Sequence, residues 1–515
     1  MFNFRICRTL VRGFRRHYAI TYAMRYKKIE ENLAAYYPSL SGLRKATITV
    51  PKFLNKYESC LQAELPDQRY VVNGQIRSVR IVGRSMCFID LYQEGRSLQL
   101  ILSYGVMSKA ISREQFYELV NLVRPGDHVQ AEGYPGLSKT EKTLSLKCTI
   151  PLVMLSASQI AAPPKLEEPS QRRSNRVMDY IVNGYEVLHQ RRAVIKALRD
   201  FLDSNDFLEV ETPLLSAHAS GANARPFTTQ LNALSKQSLH LRIAPELWLK
   251  RLSIAGLHKV YEIGKVFRNE GVDATHNPEF TTLEFYQSYT SMEELLEMSE
   301  ELLKYVCTAV HTPVAREVLA ALKANGGHFR RVEVLPTLKK ETGIDWDTID
   351  LSSSDAMLAA LRSKNIHLTE TIKSPSQILN KLCGDYVENK YCGDLLPTAI
   401  CHHPTITSPL AKGNDRTSNR FEVMIKGREY INAYEEENCP QTQLSKLADQ
   451  SRYKEEYKDQ ESMDVDFAYI EAMKLGMPPV GGLGLGIDRL CMLLLNKDRI
   501  EDVLPFGCLD DVNRQ

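Results

Sequence analysis

The chain has 515 residues, 43 % of them hydrophobic and 25 % charged, with a formal net charge of +2. That length exceeds what one hydrophobic core can organise and predicts two or three domains of ordinary globular composition. No stretch approaches the roughly 18 apolar residues of a membrane-spanning helix; the longest apolar run, Leu490–Leu495, is far too short.

The charge is unevenly spread. Arg5, Arg8, Arg12, Arg15, Arg16, Arg25, Lys27 and Lys28 fall within residues 1–29, which contain no Asp or Glu, so the remainder carries −6. An Arg-rich, acid-free start without a continuous apolar segment reads as a mitochondrial transit peptide and not as a secretory signal. A basic arm for nucleic acid is the alternative. Residues 30–69 show helical periodicity and form the expected helical extension.

From Tyr70 the pattern becomes short β-rich runs separated by Gly and charged turns. Strands are predicted over 70–82, 85–92, 97–103, 128–134, 143–148 and 151–155, with a helix over 112–123. So many short strands around one helix within 70–155 suggest a small barrel, most economically an OB-fold. Such barrels bind single-stranded nucleic acid through aromatics and basic groups on a strand face, for which Arg77, Phe88 and Gln99 are the candidates.

Residues 156–175, rich in Pro, Ser and charge, read as a linker. A helix is expected over 180–204, then a strand ending at Pro213, a unit suited to a dimer interface or equally to a core helix. The loop Ala219–Phe227 is small enough to let a ligand approach the backbone. Leu239–Leu252 passes from strand to helix at Pro245, with Glu246 in the first turn.

Three clusters carry chemistry. The segment Val266–Tyr286 reads as two antiparallel strands joined by a long loop, and it concentrates Arg268, Glu270, His276, Phe280, Glu284 and Tyr286. A salt-bridged structural hairpin absorbs one Arg–Glu pair but not this set. Residues 291–365 read as a helical, charged stretch that serves as scaffolding or a surface insertion. Phe421–Ile425 and Glu429–Tyr434 read as strands around Lys426-Gly427. Across that turn Glu422 and Glu429 are expected to meet and share a divalent cation. Asn432, Tyr434 and Glu436, spaced by two, point one way, while Glu435 and Glu437 are expected on an exposed edge. The third cluster, Gly481–Arg489, alternates Gly482, Gly484 and Gly486, stripping one strand face of side chains before an arginine at a helix start.

The eleven cysteines form no CxxC pair, which predicts reduced thiols. Cys383, Cys392, Cys401, His402 and His403 lack the tight pairs of a structural zinc site, and ordinary buried cysteines are expected there.

Two arginines, two carboxylates for a metal and an aromatic to stack a base describe an ATP site. There is no GxxxxGK[ST], which excludes P-loop chemistry. The surplus acids Glu246, Glu284 and Glu436 favour a cationic substrate. The helix–strand–Pro213 unit, the FRNEGVDATHNPEF hairpin and GLGLGIDR resemble the three signature motifs of class II aminoacyl-tRNA synthetases. RIAPELWLKR, THNPEFTTLEFY, SPLAK and NAYxE resemble the lysyl branch, and the basic start resembles its mitochondrial members. An aspartyl enzyme would carry FRDE where FRNE stands. The resemblance covers residues 70–506.

The resemblance implies an α+β chain: an OB-fold β-barrel, then a catalytic domain (residues 176–515) built on an antiparallel sheet flanked by helices. It implies a homodimer acting in the mitochondrial matrix on ATP, L-lysine and tRNA(Lys), with Mg2+. Arg268 would hold the α-phosphate and the lysine carboxylate. Glu270, His276 and Arg489 would contact ATP, and Phe280 would stack on adenine, with Arg268 and Arg489 as the catalytic pair. Glu422 and Glu429 would bind the metal. Gly221 and Glu246 would take the α-amino group. Glu284, Tyr286 and Glu436 would surround the ε-ammonium, with Asn432 and Tyr434 shaping the pocket. Arg77, Phe88 and Gln99 would read the anticodon. Ser220 departs from the family's usual glycine. An adenylate-forming enzyme that does not charge tRNA would lack the N-terminal barrel, and a catalytically dead relative would lack Arg268 or Arg489.

Overall fold

The computed structural model describes residues 22–507 except 139–141, 164, 219–220, 223, 235–237, 370–371, 373 and 458–464. Most of the expected leader (residues 1–21) and Ser220 therefore lie outside the described residues. The chain divides into two compact units, Met1–Glu186 and Val187–Gln515.

The first unit opens with helices α1 (Tyr22–Glu31) and α2 (Val50–Tyr57). It continues through β1 (Tyr70–Val82), β2 (Met86–Gln93), β3 (Arg96–Ser103), α3 (Arg113–Leu122), β4 (His128–Leu137), β5 (Leu144–Cys148) and β6 (Val153–Ser156). The order β1-β2-β3-β5-β4 closes because β4 also pairs with β1, and β6 adds to β4. Only the β3–β5 contact is parallel within this closed ring. Alternate residues Cys87, Ile89 and Leu91 face a core that also takes Phe53 from α2 and Phe116 from α3. This is the five-stranded barrel with one interstrand helix expected from the strand spacing. Ser112 caps α3 through a reciprocal bond with Gln115.

The second unit is built on eight strands in the order β13-β14-β15-β16-β17-β12-β11-β7. They are β7 (Leu208–Glu209), β11 (Lys259–Phe267), β12 (Glu279–Ser288), β13 (Arg330–Glu333), β14 (Thr398–Cys401), β15 (Arg420–Ile425), β16 (Arg428–Glu435) and β17 (Val480–Gly486). The central strands are antiparallel, and the two outermost pairs are parallel. A small sheet of β8 (Leu215–Ser216), β9 (Thr228–Gln230) and β10 (Ser238–Leu241) stands apart. The helices that position the site are α4 (Glu186–Ser204), α5 (Glu246–Ile254), α6 (Met292–Val310) and α7 (Ile487–Leu494). Leu198, Phe285, Leu295, Phe421 and Leu490 meet in the main core between sheet and helices.

Three expectations change. The helix over 180–204 is interrupted: Arg176–Asn183 ends at Gly184 with φ +82°, and α4 begins afterwards. Gly184 supplies a positive-φ stop that overrides the apolar periodicity. The stretch 291–365 is more than helical scaffolding, because β13 lies at the sheet edge and Trp346, Leu338 and Met357 build a separate core. Glu435 and Glu437 are not on an exposed edge. Glu435 accepts from the amide of Met292 at 2.8 Å and from Asn419 at 2.8 Å, and buried Glu437 accepts from Lys446 at 2.8 Å. The orphan amides at the start of α6 give Glu435 its partner.

Candidate active site

The hairpin β11–β12 pairs Phe267 with Glu279 and Glu262 with Glu284, leaving residues 268–278 as the connecting loop. The loop turns on Asp273, which accepts from the amides of Thr275 (2.6 Å) and His276 (3.0 Å). β12 then lies against β17, with Glu284 opposite Gly484 and Tyr286 opposite Gly482. On its other edge β17 faces β16, where Asn432 is opposite Gly484 and Tyr434 opposite Gly482. The two glycines thus form a floor between walls contributed by the hairpin and by β16. A Cβ on Gly482 would meet the Glu436 carboxylate and come within 2.6 Å of the Tyr286 ring. This close approach, rather than a dinucleotide turn, is the physical use of the alternating glycines. Asp488 at the start of α7 fixes the junction. It accepts the Thr281 amide at 2.8 Å and pairs with Arg191 of α4 at 2.6 Å, all three residues being buried or nearly so.

A cavity of about 450 Å³ opens over this floor, large enough for a small ligand together with a nucleotide. Gly221, Glu246, Arg268, Glu270, His276, Phe280, Glu284, Tyr286, Glu422, Glu429, Asn432, Tyr434, Glu436 and Arg489 all line it. Every catalytic, nucleotide, lysine and metal candidate read from the sequence thus borders one space, although the chain separates the first from the last by more than half its length.

One end of the cavity is acidic and buried. Glu246, Glu284 and Glu436 are buried there. Tyr434 donates to both oxygens of Glu246 at 2.8 and 2.9 Å, and Tyr286 donates to Glu284 at 3.1 Å. Burial and then the neighbouring acids push both phenols well above their usual range, so they remain donors. Burial, reinforced by the charge of Glu246, pushes the Glu284 carboxyl up to about 8. Burial also raises Glu436 well above the ordinary carboxylate range, with Glu246 adding to it and Lys250 opposing it. Gly221 takes φ +97°, and a Cβ there would lie 3.1 Å from that of Glu246, so the loop can approach this carboxylate only as glycine.

The sequence reading missed Lys250. Fully buried on α5, it pairs with Glu246 at 2.5 Å one helical turn away and also contacts Glu436. Burial lowers its affinity for a proton, but the two carboxylates outweigh this and hold it charged. One ammonium shared by two acids, with a third acid beside them, leaves the pocket short of positive charge. The i,i+4 spacing in ELWLK was the available signal.

The other end is cationic. The Arg268 guanidinium carbon lies 5.2 Å from the centre of the Phe280 ring, and its buried Nε has no hydrogen-bond partner among the described residues. Arg489 donates to His276 Nε2 at 2.8 Å and to the Glu429 carbonyl at 3.1 Å. A guanidinium only donates, so His276 Nε2 accepts and its Nδ1 carries the proton, which goes to Asp273 at 2.9 Å. Asp273 is held below the usual carboxylate range, first by the Thr275 amide and then by His276. Glu270 sits at the exposed rim.

The metal candidates need a correction of register. Glu429 is opposite Met424 beside the turn, and beyond a bulge between Val423 and Met424 Glu422 is opposite Asn432. They do not face one another directly across the Lys426-Gly427 turn, yet both reach the cavity wall. Burial and the charge of Glu422 push Glu429 up, with Arg489 opposing. Glu422 is in contact with Arg420, which also donates to Asn432 at 3.0 Å. Arg420 was not recognised in the sequence. Two half-buried carboxylates repelling one another are a hard-oxygen donor set that fits Mg2+. The cysteine–histidine group is different in kind: Cys383 and Cys392 are buried in one apolar core and Cys401 in another.

On the barrel, Phe88 and Gln99 point outward, opposite Arg80 and Asp90 respectively. A bulge between Ile76 and Ser78 brings Arg77 to the same face, where its guanidinium lies 4.2 Å from the Tyr92 ring centre. Gln99 accepts from Ser145 at 3.0 Å. Arg80, 4.9 Å from the Phe88 ring, and Tyr92 extend the set beyond the sequence-predicted residues.

A family model described as tRNA synthetases class II (D, K and N) matches residues 168–509. The chain belongs to this family. It is 44 % identical to the mitochondrial lysine–tRNA ligase of Saccharomyces cerevisiae, over 97 % of this chain and 96 % of that protein. It is 34 % identical to the mitochondrial enzyme of Schizosaccharomyces pombe (92 % and 90 % covered) and 38 % identical to the lysine–tRNA ligase of Clostridium acetobutylicum (86 % and 85 %). With these relatives the synthetase falls among the lysine–tRNA ligases, and the aspartyl and asparaginyl alternatives are set aside.

Proposed function

We propose that this ligase activates L-lysine with ATP to lysyl-adenylate and transfers the lysyl group to tRNA(Lys) for translation in the mitochondrial matrix. The observation that carries the reading is the polarity of the single cavity: Arg268, His276 and Arg489 at one end, Glu246, Glu284 and Glu436 at the other. The lysine carboxylate attacks the α-phosphorus in line, the P–O bond to the β-phosphate breaks, and pyrophosphate leaves. Arg268 binds the oxygens on which charge develops, its unpartnered Nε being available to them. Arg489, oriented by His276, meets the polyphosphate, and Phe280 offers its face to the base. Mg2+, held by Glu422 and Glu429, would neutralise phosphate charge. The α-ammonium lies against Glu246 beside Gly221, and the ε-ammonium against Glu436, Glu284 and Tyr286, with Asn432 and Tyr434 shaping the wall. No protein nucleophile is required, because positioning supplies the rate. The terminal ribose hydroxyl of the tRNA then attacks the adenylate carbonyl and releases AMP.

Arg77, Phe88 and Gln99 bind unpaired anticodon bases, with the outward ring of Phe88 as a stacking surface. The basic start serves as the leader, in keeping with the two mitochondrial relatives. A homodimer is supported by exposed Leu208 on the edge strand β7 and by exposed Leu214 and Leu215 just beyond Pro213. The test is ATP–pyrophosphate exchange with each amino acid in turn, then charging of mitochondrial tRNA. Exchange supported by lysine, followed by charging, is expected. Exchange with a different amino acid overturns the substrate assignment, and exchange without charging identifies an adenylate-forming enzyme.

A further inference from the structure

Helix α1 falls within the stretch that the composition assigns to the leader, yet its side chains are part of the barrel unit. Arg25 is 1 % exposed and Ile29, one turn on, is 1 % exposed. A buried arginine is tolerated only when its donors are used, and those of Arg25 are. Its Nε donates to the Leu122 carbonyl at 3.0 Å, its Nη1 to the Ser158 carbonyl, and its Nη2 to Asp127 Oδ1 at 2.6 Å. The Leu122 carbonyl is one of the orphan acceptors at the end of α3. Asp127 is itself 0 % exposed and sits in the turn that starts β4. It accepts the amides of Arg124 at 2.7 Å and Ser158 at 2.8 Å, so it ties α3 to the chain beyond β6. Burial pushes its carboxyl up, and Arg25 is the largest influence in the opposite direction. Outside the helix core, Lys28 pairs with Glu118 of α3 at 2.6 Å. Contacts on two successive turns of one helix are not what a disposable leader needs.

We propose that removal of the leader stops short of Arg25, so that α1 remains in the mature enzyme as the counter-charge of Asp127 and a fixed part of the barrel unit. This inference rests on the mitochondrial reading above. It moves the end of the leader upstream from residue 29, where the first acidic residue, Glu30, had suggested it. The processing step is hydrolysis by an organellar endopeptidase: water is divided across one peptide bond, leaving a carboxylate on the leader and a new ammonium on the mature chain. A leader reaching residue 29 would leave Asp127 buried without its cation and the Leu122 carbonyl without its donor. Eight basic residues mark the start of the sequence, but only the five up to Arg16 are then free to act as an address; Arg25, Lys27 and Lys28 stay with the enzyme.

The test is N-terminal sequencing of the protein recovered from mitochondria. A mature start after Met1 and at or before Arg25 is expected. A start beyond Arg25 overturns the inference while leaving the mitochondrial reading intact, and a start at Met1 overturns the mitochondrial reading and the inference with it. A second measurement uses the full chain with Arg25→Met and Arg25→Lys, digested by a trace of protease. Arg25→Met is expected to speed cleavage within residues 70–155 at least tenfold, with partial recovery in Arg25→Lys, while lysine-dependent pyrophosphate exchange in the intact fraction stays within about twofold of wild type. Equal resistance in all three chains contradicts a fixed role for α1.

Discussion

In the catalytic cavity Glu246, Glu284 and Glu436 are buried beside one another with a single internal ammonium between them, whereas on the barrel Arg77, Phe88 and Gln99 lie on an outward face and already touch neighbours on adjoining strands. Low dielectric makes each cavity charge count for far more than the same charge on a wet surface. The cavity is therefore incomplete without its substrate: Glu284 and Glu436 are pushed up, and an arginine nitrogen lacks an acceptor. The barrel face also holds one unpartnered donor among the described residues, Arg77 Nη1, but its other groups offer ring surface and replaceable contacts. In the proposed function, selection of the amino acid would belong to the first arrangement and adaptable grip on unpaired bases to the second.

The contrast predicts which assay each substitution disturbs. Arg268→Ala is expected to lower the rate of pyrophosphate exchange about a thousandfold, the scale for loss of a preorganised donor at a developing oxyanion; near-normal exchange would remove it from the phosphate. Glu436→Gln deletes a buried charge from the acidic end, at a cost of about 2–5 kcal/mol. The lysine KM in exchange should rise about a hundredfold, and an unchanged KM would contradict the pairing with the ε-ammonium.

Glu284 gives a pH dependence. With its carboxyl raised to about 8, it is protonated in the free site at pH 7, and the lysine ammonium favours the ionised form. Lysine binding should therefore release a proton, and the lysine KM should fall about tenfold between pH 7 and pH 9, one decade per unit below the pKa. Calorimetry in buffers of different ionisation enthalpy measures the proton, and Glu284→Gln should abolish the dependence. The same residue works against the ligand-free fold. The native state keeps a proton that the unfolded chain loses near its ordinary carboxylate pKa, so this contribution to stability is present at low pH and fades as pH rises through about 8.

The smallest effect belongs to the barrel. Phe88→Ala removes one stacking surface, worth about 1–3 kcal/mol per base. At the lower end of that range it should raise the tRNA KM in charging about tenfold and leave pyrophosphate exchange untouched. A change in exchange would break the division between the two regions.

Local sequence determined a large share of this. Strand alternation with turn residues marked the barrel, and the β11–β12 hairpin was legible because Asp273, Asn277 and Pro278 separate two runs rich in aromatic and β-branched residues. Chemistry-bearing residues clustered in short segments, so Arg268, Glu436 and Arg489 were identified without knowing how they meet. Other features depended on partners distant in the chain. Glu422 and Glu429 sit on different rungs, opposite Asn432 and Met424, and the bulge at Val423/Met424 shifts the ladder between them by one residue, which no composition encodes. Glu435 and Glu437 look like a solvated acidic edge until α6 and Lys446 arrive beside them. Lys250 and Arg25 look like ordinary surface cations, and only burial against carboxylates makes them internal charges. Sequence by itself determined which groups are present and their local periodicity, because both are properties of neighbours along the chain. Tertiary structure alone decided which charges are removed from water and paired, because desolvation depends on everything packed around a group, wherever in the chain it comes from.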